Sequence, residues 1–390
     1  MVNNKNSFIP YGHQTIDDDD INSVISILKS DYLTTGPAVE RFEKSIANYV
    51  DTKYAVTFSN GTAALHGACY AAGIQKGDEV ITSPMTFVAS SNCVLYMGAT
   101  PIFVDIDQKT YNIDPKEIWK KITSKTKAII PVDYTGQPCD LDEINEMATK
   151  HNLIVIEDAA HALGARHKGK KIGSISDMTM FSFHPVKHIT TGEGGIITTN
   201  NKEYYEKLLE FRSHGVTRDR SKLKEDHGPW YYEMQFLGYN YRMSDIQAAL
   251  GASQLSKSDD FLKKRKAIVD KYNAAFANIR EINTPFQKQT NNSSWHLYVL
   301  RFNIAELVAS RKQIFEELRG QNIGVNVHYI PVYYQPFYQG LGFKKGICPN
   351  TEKLYEEIIT LPLFPSMTET EVNYVIECVK EIVKKHSNRN

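Results

Sequence analysis

Cysteine is scarce and unpaired in pattern: Cys69, Cys93, Cys139, Cys348 and Cys378 are scattered through 390 residues without a C-x-x-C pair. An odd, dispersed set excludes a disulfide framework and a cysteine-based zinc or redox site, and implies free thiols in a reducing compartment. Net charge is missing too, because Lys+Arg 45 balance Asp+Glu 45. A chain with no basic excess lacks the electrostatic footprint of a dedicated nucleic-acid binder. No apolar stretch approaches the roughly 18 residues of a membrane helix, and the opening MVNNKNSFIPYGHQ holds no apolar signal-like core. These absences predict a cytoplasmic protein with a small-molecule partner, no nucleic acid and no membrane.

Several signatures of catalysis are also absent. There is no G-x-x-x-x-G-K-[ST], no G-x-G-x-x-G opening a helix after the first strand, and no G-x-S-x-G elbow. Nucleotide hydrolysis, Rossmann dehydrogenation and serine hydrolysis lose their usual basis. His184 and His188 are four apart, but Pro185 and the glycines that follow oppose a helix and no acidic third ligand is suitably spaced, so no metal is expected. The Asp17-Asp18-Asp19-Asp20 run reads as the acidic first turn of a helix following Thr15, favoured by the macrodipole.

What is present is a series of short apolar runs between about residues 54 and 200: YAVTF, EVITS, PIFVD, KAIIPVD, LIVIED, MTMFSF and GGIITT. Runs apolar on both faces, separated by segments of helical period, predict an α/β fold with a mostly parallel central sheet. Val39, Phe42, Ile46 and Val50 fall on one helical face that would pack on it. IQAALGASQLSKSDDFLKKRKAIVDKYNAAF reads as one long amphipathic helix, and the character changes there. The expected division is 1–250, a large α/β domain with an N-terminal arm, and 251–390, a smaller α+β domain. The charged, turn-rich stretch from Thr217 to Trp230 reads as a mobile surface loop.

Three pieces carry candidate chemistry. Ser59-Asn60-Gly61-Thr62-Ala63 joins a strand to a helix, where free N–H groups and the Thr62 hydroxyl suit a phosphate; an ordinary capped helix start fits the same residues. Glu157 and Asp158 end an apolar strand, the end at which ligands bind in open α/β sheets; a metal, a ribose or a structural role would each use such a carboxylate. Lys187, between Pro185 and a glycine-rich turn, is a candidate covalent amine, or a surface lysine in a loop.

In chain order these are a phosphate-type helix start, a strand-ending aspartate and, 29 residues later, a lysine. That order resembles the pyridoxal-phosphate enzymes of the aspartate-aminotransferase fold (fold type I), and more narrowly the DegT/DnrJ/StrS sugar-nucleotide aminotransferases. DYLTTGPAVERFE, SNGTAALHGA, TFVASSN, VDYTGQPCDLDEI, EDAAHALGA, SFHPVKHITTGEGG and GYNYRMSDIQAALG carry the resemblance over nearly the whole chain. IPYGHQTIDDDDI, SDYLTTGPAVERFE and the lysine segment are most similar to the members of pseudaminic acid biosynthesis, which aminate C4 of a UDP-linked 4-keto-6-deoxy-N-acetyl sugar.

The resemblance implies pyridoxal 5′-phosphate as cofactor, L-glutamate as amino donor and a UDP-keto sugar as acceptor. It implies that Lys187 anchors the cofactor and moves the proton, while Asp158 pairs with the ring nitrogen. Phe87 would stack on the ring and His161 would lie near its O3′. Gly61, Thr62, Ala63 and Ser182 would hold the phosphate. Asn240 would reach the phosphate of a neighbouring subunit, giving a homodimer with shared sites, with Arg242 and Asp245 bracing that segment. Thr34, Thr35, His328 and Tyr329 align with regions near the sugar nucleotide. Many members carry Asn after the lysine, where this chain has His188. Relatives that dehydrate sugars replace the lysine by histidine, so Lys187 opposes that reading. A cofactor-retaining sugar-nucleotide sensor is the non-enzymatic competitor.

Overall fold

The computed structural model describes residues 8–388. Met1–Ser7, part of the opening segment read above for a signal-like core, lie outside them. No helix among the described residues is long and apolar enough to cross a membrane.

All seven apolar runs form strands of one sheet: β1 (Tyr54–Phe58), β2 (Glu79–Thr82), β3 (Thr100–Phe103), β4 (Thr126–Ile130), β5 (Ile154–Asp158), β6 (Met178–Ser182) and β7 (Gly195–Thr199). Their spatial order is β1-β7-β6-β5-β4-β2-β3. β7 alone runs antiparallel to its neighbours. The other pairs are parallel.

Helices cover both faces, which is why these strands read as continuous apolar runs rather than alternating ones. On one side lie α1 (Asp18–Leu28), α2 (Pro37–Val50), α5 (Leu141–His151) and α7 (Asp245–Ser256), with Phe42, Ile46, Ile144, Met147 and Ala248 in the core. On the other lie α3 (Gly61–Ala71), α4 (Ala89–Tyr96) and α6 (Lys202–Phe211), contributing Leu65, Ala68, Cys93, Val94 and Phe211.

The long helix expected after Asp245 is two helices. α7 ends at Ser256, Lys257 is its C-cap, and α8 (Ser258–Phe276) begins directly after it. At the break the Lys257 ammonium lies 2.6 Å from Asp17 and 2.7 Å from buried Asp20. The acidic run therefore opens α1, as expected, but Asp17 rather than Thr15 is its cap, in a reciprocal capping box with Asp20.

Beyond α8 an antiparallel sheet of β8 (Ile282–Asn283), β9 (Tyr298–Phe302) and β10 (Ile358–Leu361) packs against α8 and α9 (Glu369–His386). Its core holds Val269, Tyr272, Tyr298, Leu300, Ile359 and Val379. Ile9 joins this core, its N–H donating to Asn322 O at 2.9 Å. Thr217 belongs to a two-residue ladder that pairs Val216–Thr217 with Glu233–Met234, residues 218–230 lie between its strands, and Trp230 stands 71% exposed.

Because β7 runs backwards, its first residue Gly195 lies level with the last residues of its neighbours, Phe58 of β1 and Ser182 of β6. A Cβ on Gly195 would sit 2.5 Å from Asn60 O, so glycine is required for the strand to reach the β1–α3 turn. This brings the Gly61 turn, the Asp158 strand end and the Lys187 loop to one edge of the sheet.

Candidate active site

A cavity of about 930 Å³ opens at that edge, and both the large sheet and the C-terminal part line it. Gly61, Thr62, Ala63, Ser182, Asp158 and Lys187 form its floor side. Phe87, His161, His296, His328 and Tyr329 complete its walls. Thr34, Thr35 and Asn240 do not line it: all three are exposed on this chain.

The β1–α3 turn is both of the things its sequence allowed. Asn60 caps α3, its side chain accepting from Ala63 N at 2.8 Å. The Ala63 N–H is thus used by the cap. The N–H groups of Gly61 and Thr62, at the positive end of the helix, and the Thr62 hydroxyl remain for an anion. A Cβ on Gly61 would lie 3.3 Å from Ser182 Cβ and 3.4 Å from Ser182 Oγ, so the absent side chain keeps the turn and the Ser182 hydroxyl in one cradle.

Strand alternation separates the two acids of β5. Glu157 turns to the helix side, where its Oε2 accepts the Ser176 and Thr179 hydroxyls, each at 2.9 Å. Burial raises its pKa and that of neighbouring Asp133, which the Glu157 charge raises further. Asp158 turns the other way, to the cavity. Its Oδ2 accepts from Ser90 Oγ at 2.6 Å and its Oδ1 from Ala160 N at 3.1 Å. Burial raises the carboxyl, while those two donors and the Lys187 charge favour its ionised form.

The lysine segment leaves β6 and returns as β7, pinned where Phe183 N donates to Gly194 O at 2.9 Å and Thr191 N to Phe183 O at 3.0 Å. Lys187 N donates to His184 O at 2.9 Å, which folds the loop so that the side chain enters the cavity. Burial lowers the amine to about 8, and Asp158 opposes that fall. Such an amine is partly unprotonated at neutral pH, as a covalent nucleophile requires. His184 is exposed and His188 buried, the latter donating from Nε2 to Ser294 O at 3.1 Å. No group of three metal-binding side chains occurs among the described residues.

Further round the wall, Thr135 N donates to His161 Nδ1 at 3.3 Å. The proton of His161 is thereby placed on Nε2, which lies 3.0 Å from the Tyr329 hydroxyl. Tyr329 accepts there, leaving its own proton to turn elsewhere. His328 bonds Thr360 Oγ1 through Nδ1 at 2.9 Å and is pushed down to about 3 by burial. Phe87 lies 60% exposed, its ring 6.4 Å from that of Tyr329. His296, 4% exposed, places Nε2 3.5 Å from Lys187 Nζ. The sequence reading missed it, because SWHLYVLRF registers only as an apolar strand; a histidine two residues before that strand was the available signal.

Asn240 pairs through its backbone with Ser213 and has no side-chain partner in its own chain among the described residues. Thr34 bridges Ser244 in the same region. Asp245 braces it, its two carboxylate oxygens accepting from Gly36 N and Ala38 N, each at 2.8 Å.

An anion cradle, a buried carboxylate, an activated amine and an aromatic wall around one cavity fit pyridoxal phosphate in each of its parts. The fold and this donor set define a fold type I pyridoxal-phosphate-dependent aminotransferase.

The profile of the DegT/DnrJ/EryC1/StrS aminotransferase family matches residues 14–380. An uncharacterized protein of Methanocaldococcus jannaschii is 48% identical over 98% of this chain and 99% of its own. The UDP-4-amino-4,6-dideoxy-N-acetyl-beta-L-altrosamine transaminase of Campylobacter jejuni is 39% identical over 97% of this chain and 98% of its own. Among solved structures, the Streptococcus pneumoniae protein Spr1654, assigned as a sugar aminotransferase and solved in its PMP form, superposes with a TM-score of 0.90. It is 35% identical, covering 97% of this chain and 99% of its own. The chain belongs to the DegT/DnrJ/EryC1/StrS aminotransferase family, and it is a pyridoxal-phosphate-dependent sugar aminotransferase.

Proposed function

We propose that this enzyme moves an amino group from L-glutamate to C4 of a UDP-linked 4-keto-6-deoxy-N-acetylhexosamine, as in the pseudaminic acid pathway. The observation that carries this reading is its 39% identity, over 97% of the chain, to a transaminase whose name specifies a UDP-linked 4-amino-4,6-dideoxy N-acetyl sugar. The higher identity to a relative of unassigned activity favours a second reading, a C3 or C4 aminotransferase for another UDP- or dTDP-keto sugar.

Pyridoxal phosphate supplies an electron sink that acidifies the C–H bond beside the amine and carries the amino group between donor and acceptor. Lys187 anchors it and moves the proton through Nζ. Asp158 would hold negative charge for the ring nitrogen, Phe87 would support the ring and His161 would face its hydroxyl side. The Gly61 and Thr62 N–H groups with the Thr62 and Ser182 hydroxyls hold the phosphate. Tyr329 and the 326–330 segment, anchored by His328, form the wall for the sugar nucleotide.

The test is the reverse half-reaction on a panel of UDP- and dTDP-linked amino sugars, followed by the cofactor absorbance. A UDP-4-amino-4,6-dideoxy-N-acetylhexosamine is expected to react fastest. Preference for a 3-amino or dTDP-linked sugar would replace this substrate by the second reading.

The same proposal includes a homodimer in which Asn240, with Thr34 and Thr35 beside it, serves the partner's cavity. Exposed Leu237, Tyr239 and Leu33 flank these residues and support a buried face there. If Asn240 acts across the interface, an inactivating substitution such as Asn240→Trp and Lys187→Ala damage different chains of one site. Refolding the two inactive variants together should recover about a quarter of wild-type activity, since half the dimers are mixed and each has one intact site of two. No recovery despite mixed dimers seen by mass spectrometry would place Asn240 in its own chain's site or in none.

A further inference from the structure

His296 lies two residues before β9, and its backbone is held on several sides. Its N–H donates to Thr135 O at 2.9 Å, and buried Arg265 donates to His296 O at 3.2 Å and to Leu363 O at 2.9 Å. The His188 bond to Ser294 O fixes the chain two residues earlier. The ring lies between His161, 4.4 Å away by centroids, and His188, 5.4 Å away.

Within this shell the four imidazoles differ in one respect. His161 Nδ1 accepts the Thr135 N–H, His188 Nε2 is bound to the Ser294 carbonyl, and His328 Nδ1 is bound to Thr360. His296 has no such fixed partner: Nδ1 is buried without a hydrogen bond among the described residues, and Nε2 faces Lys187. An unsatisfied buried nitrogen is destabilising, a cost that an aliphatic side chain filling the same space would not carry. The compensating interaction is therefore at Nε2.

We infer that His296 is a positioning residue for Lys187, its Nε2 accepting an N–H from Nζ so that the free amine turns its lone pair away from the histidine and into the cavity. The inference rests on Lys187 being the cofactor-bearing lysine. The acceptor is available in both protonation states, because an ammonium has three N–H donors and a neutral amine two. The same contact can hold Nζ while it takes up and releases a proton.

The groups around His296 keep it a neutral acceptor. Burial opposes its protonation most strongly, Lys187, His161, His188 and Arg265 oppose it further, and no carboxylate among the described residues is bonded to the ring. Asp158 and His328 face Lys187 from the other walls.

Glutamine and asparagine separate this role from simple filling of space, since a glutamine amide reaches the Nε2 position whereas an asparagine amide reaches only Nδ1. In holoenzyme converted to the aminated form of the cofactor, Lys187 is free, and competitive acetylation against pH with mass spectrometry reads its pKa. His296→Leu and His296→Asn are expected to lower that pKa by about one unit, through loss of the acceptor that favours the ammonium. They should also slow the single-turnover proton transfer by roughly 10- to 100-fold, with His296→Gln recovering most of both. Equal effects of Gln and Asn, or an unchanged Lys187 titration in the Leu variant, would overturn the inference. Borohydride reduction of each variant's unaminated form separates the two levels: an adduct away from Lys187 refutes the lysine reading and this inference with it. An adduct on Lys187 with unshifted titration refutes this inference alone.

Discussion

Lys187→Ala should lose transamination by about four orders of magnitude or more, because one deletion removes both the covalent anchor and the group that moves the proton. The fold should survive it. The loop is held by backbone bonds of Phe183, Gly194 and Thr191, none of which uses the Lys187 side chain. The phosphate cradle, Asp158 and Phe87 also remain, so the variant should still take up pyridoxal phosphate noncovalently and bind an amino sugar, with a spectral change on mixing. What should disappear is the subsequent conversion to keto sugar. Rapid single turnover by Lys187→Ala, read in a stopped-flow spectrometer, would assign proton transfer to another group.

Asp158→Asn should lower the rate by roughly two to three orders of magnitude, the scale on which removing one preorganised electrostatic partner acts. The substitution is nearly isosteric, and its hydrogen bonds can be rebuilt. An asparagine oxygen can keep the Ala160 N–H, and its amide can donate to Ser90 Oγ, whose own proton can turn to Thr86 Oγ1 at 2.8 Å. The negative charge cannot be rebuilt, and without it the ring nitrogen loses the partner that favours its protonated form. The substitution should also lower the Lys187 pKa, because the Asp158 charge is what opposes its fall. Near-normal single-turnover rates with cofactor bound would show that another group supports the ring nitrogen.

The seven strands were legible because nearly all are buried on both faces and so read as apolar runs bounded by turns; β3, at the end of the sheet, is partly exposed on one face. Lys187, Asp158 and the Gly61 turn were legible because each follows or ends one of those strands, so local sequence places them at one edge of the sheet. The break at Lys257 was not. Apolar periodicity continues through it, and the Lys257 side chain there pairs with Asp17 and Asp20, more than 230 residues away in sequence. His296 was hidden for a similar reason. Its role arises where the C-terminal part of the chain meets the Lys187 loop, and nothing in the residues around it encodes that meeting. The Ala63 N–H illustrates a finer limit: Asn60 and Thr62 are both credible caps on paper, and only the geometry shows that Asn60 takes that donor. Thr34, Thr35 and Asn240 were placed by resemblance, and on this chain they lie exposed and outside the cavity.

The central claim is that the amine held between the Pro185 turn and His296 carries the cofactor. Borohydride reduction of the purified enzyme, followed by proteolysis and mass spectrometry, tests it without any assumption about the sugar. The account predicts a pyridoxyl-phosphate adduct on the peptide containing Lys187, and its loss from that peptide when the enzyme is first saturated with L-glutamate. An adduct on any other lysine, with Lys187 unmodified, would contradict it.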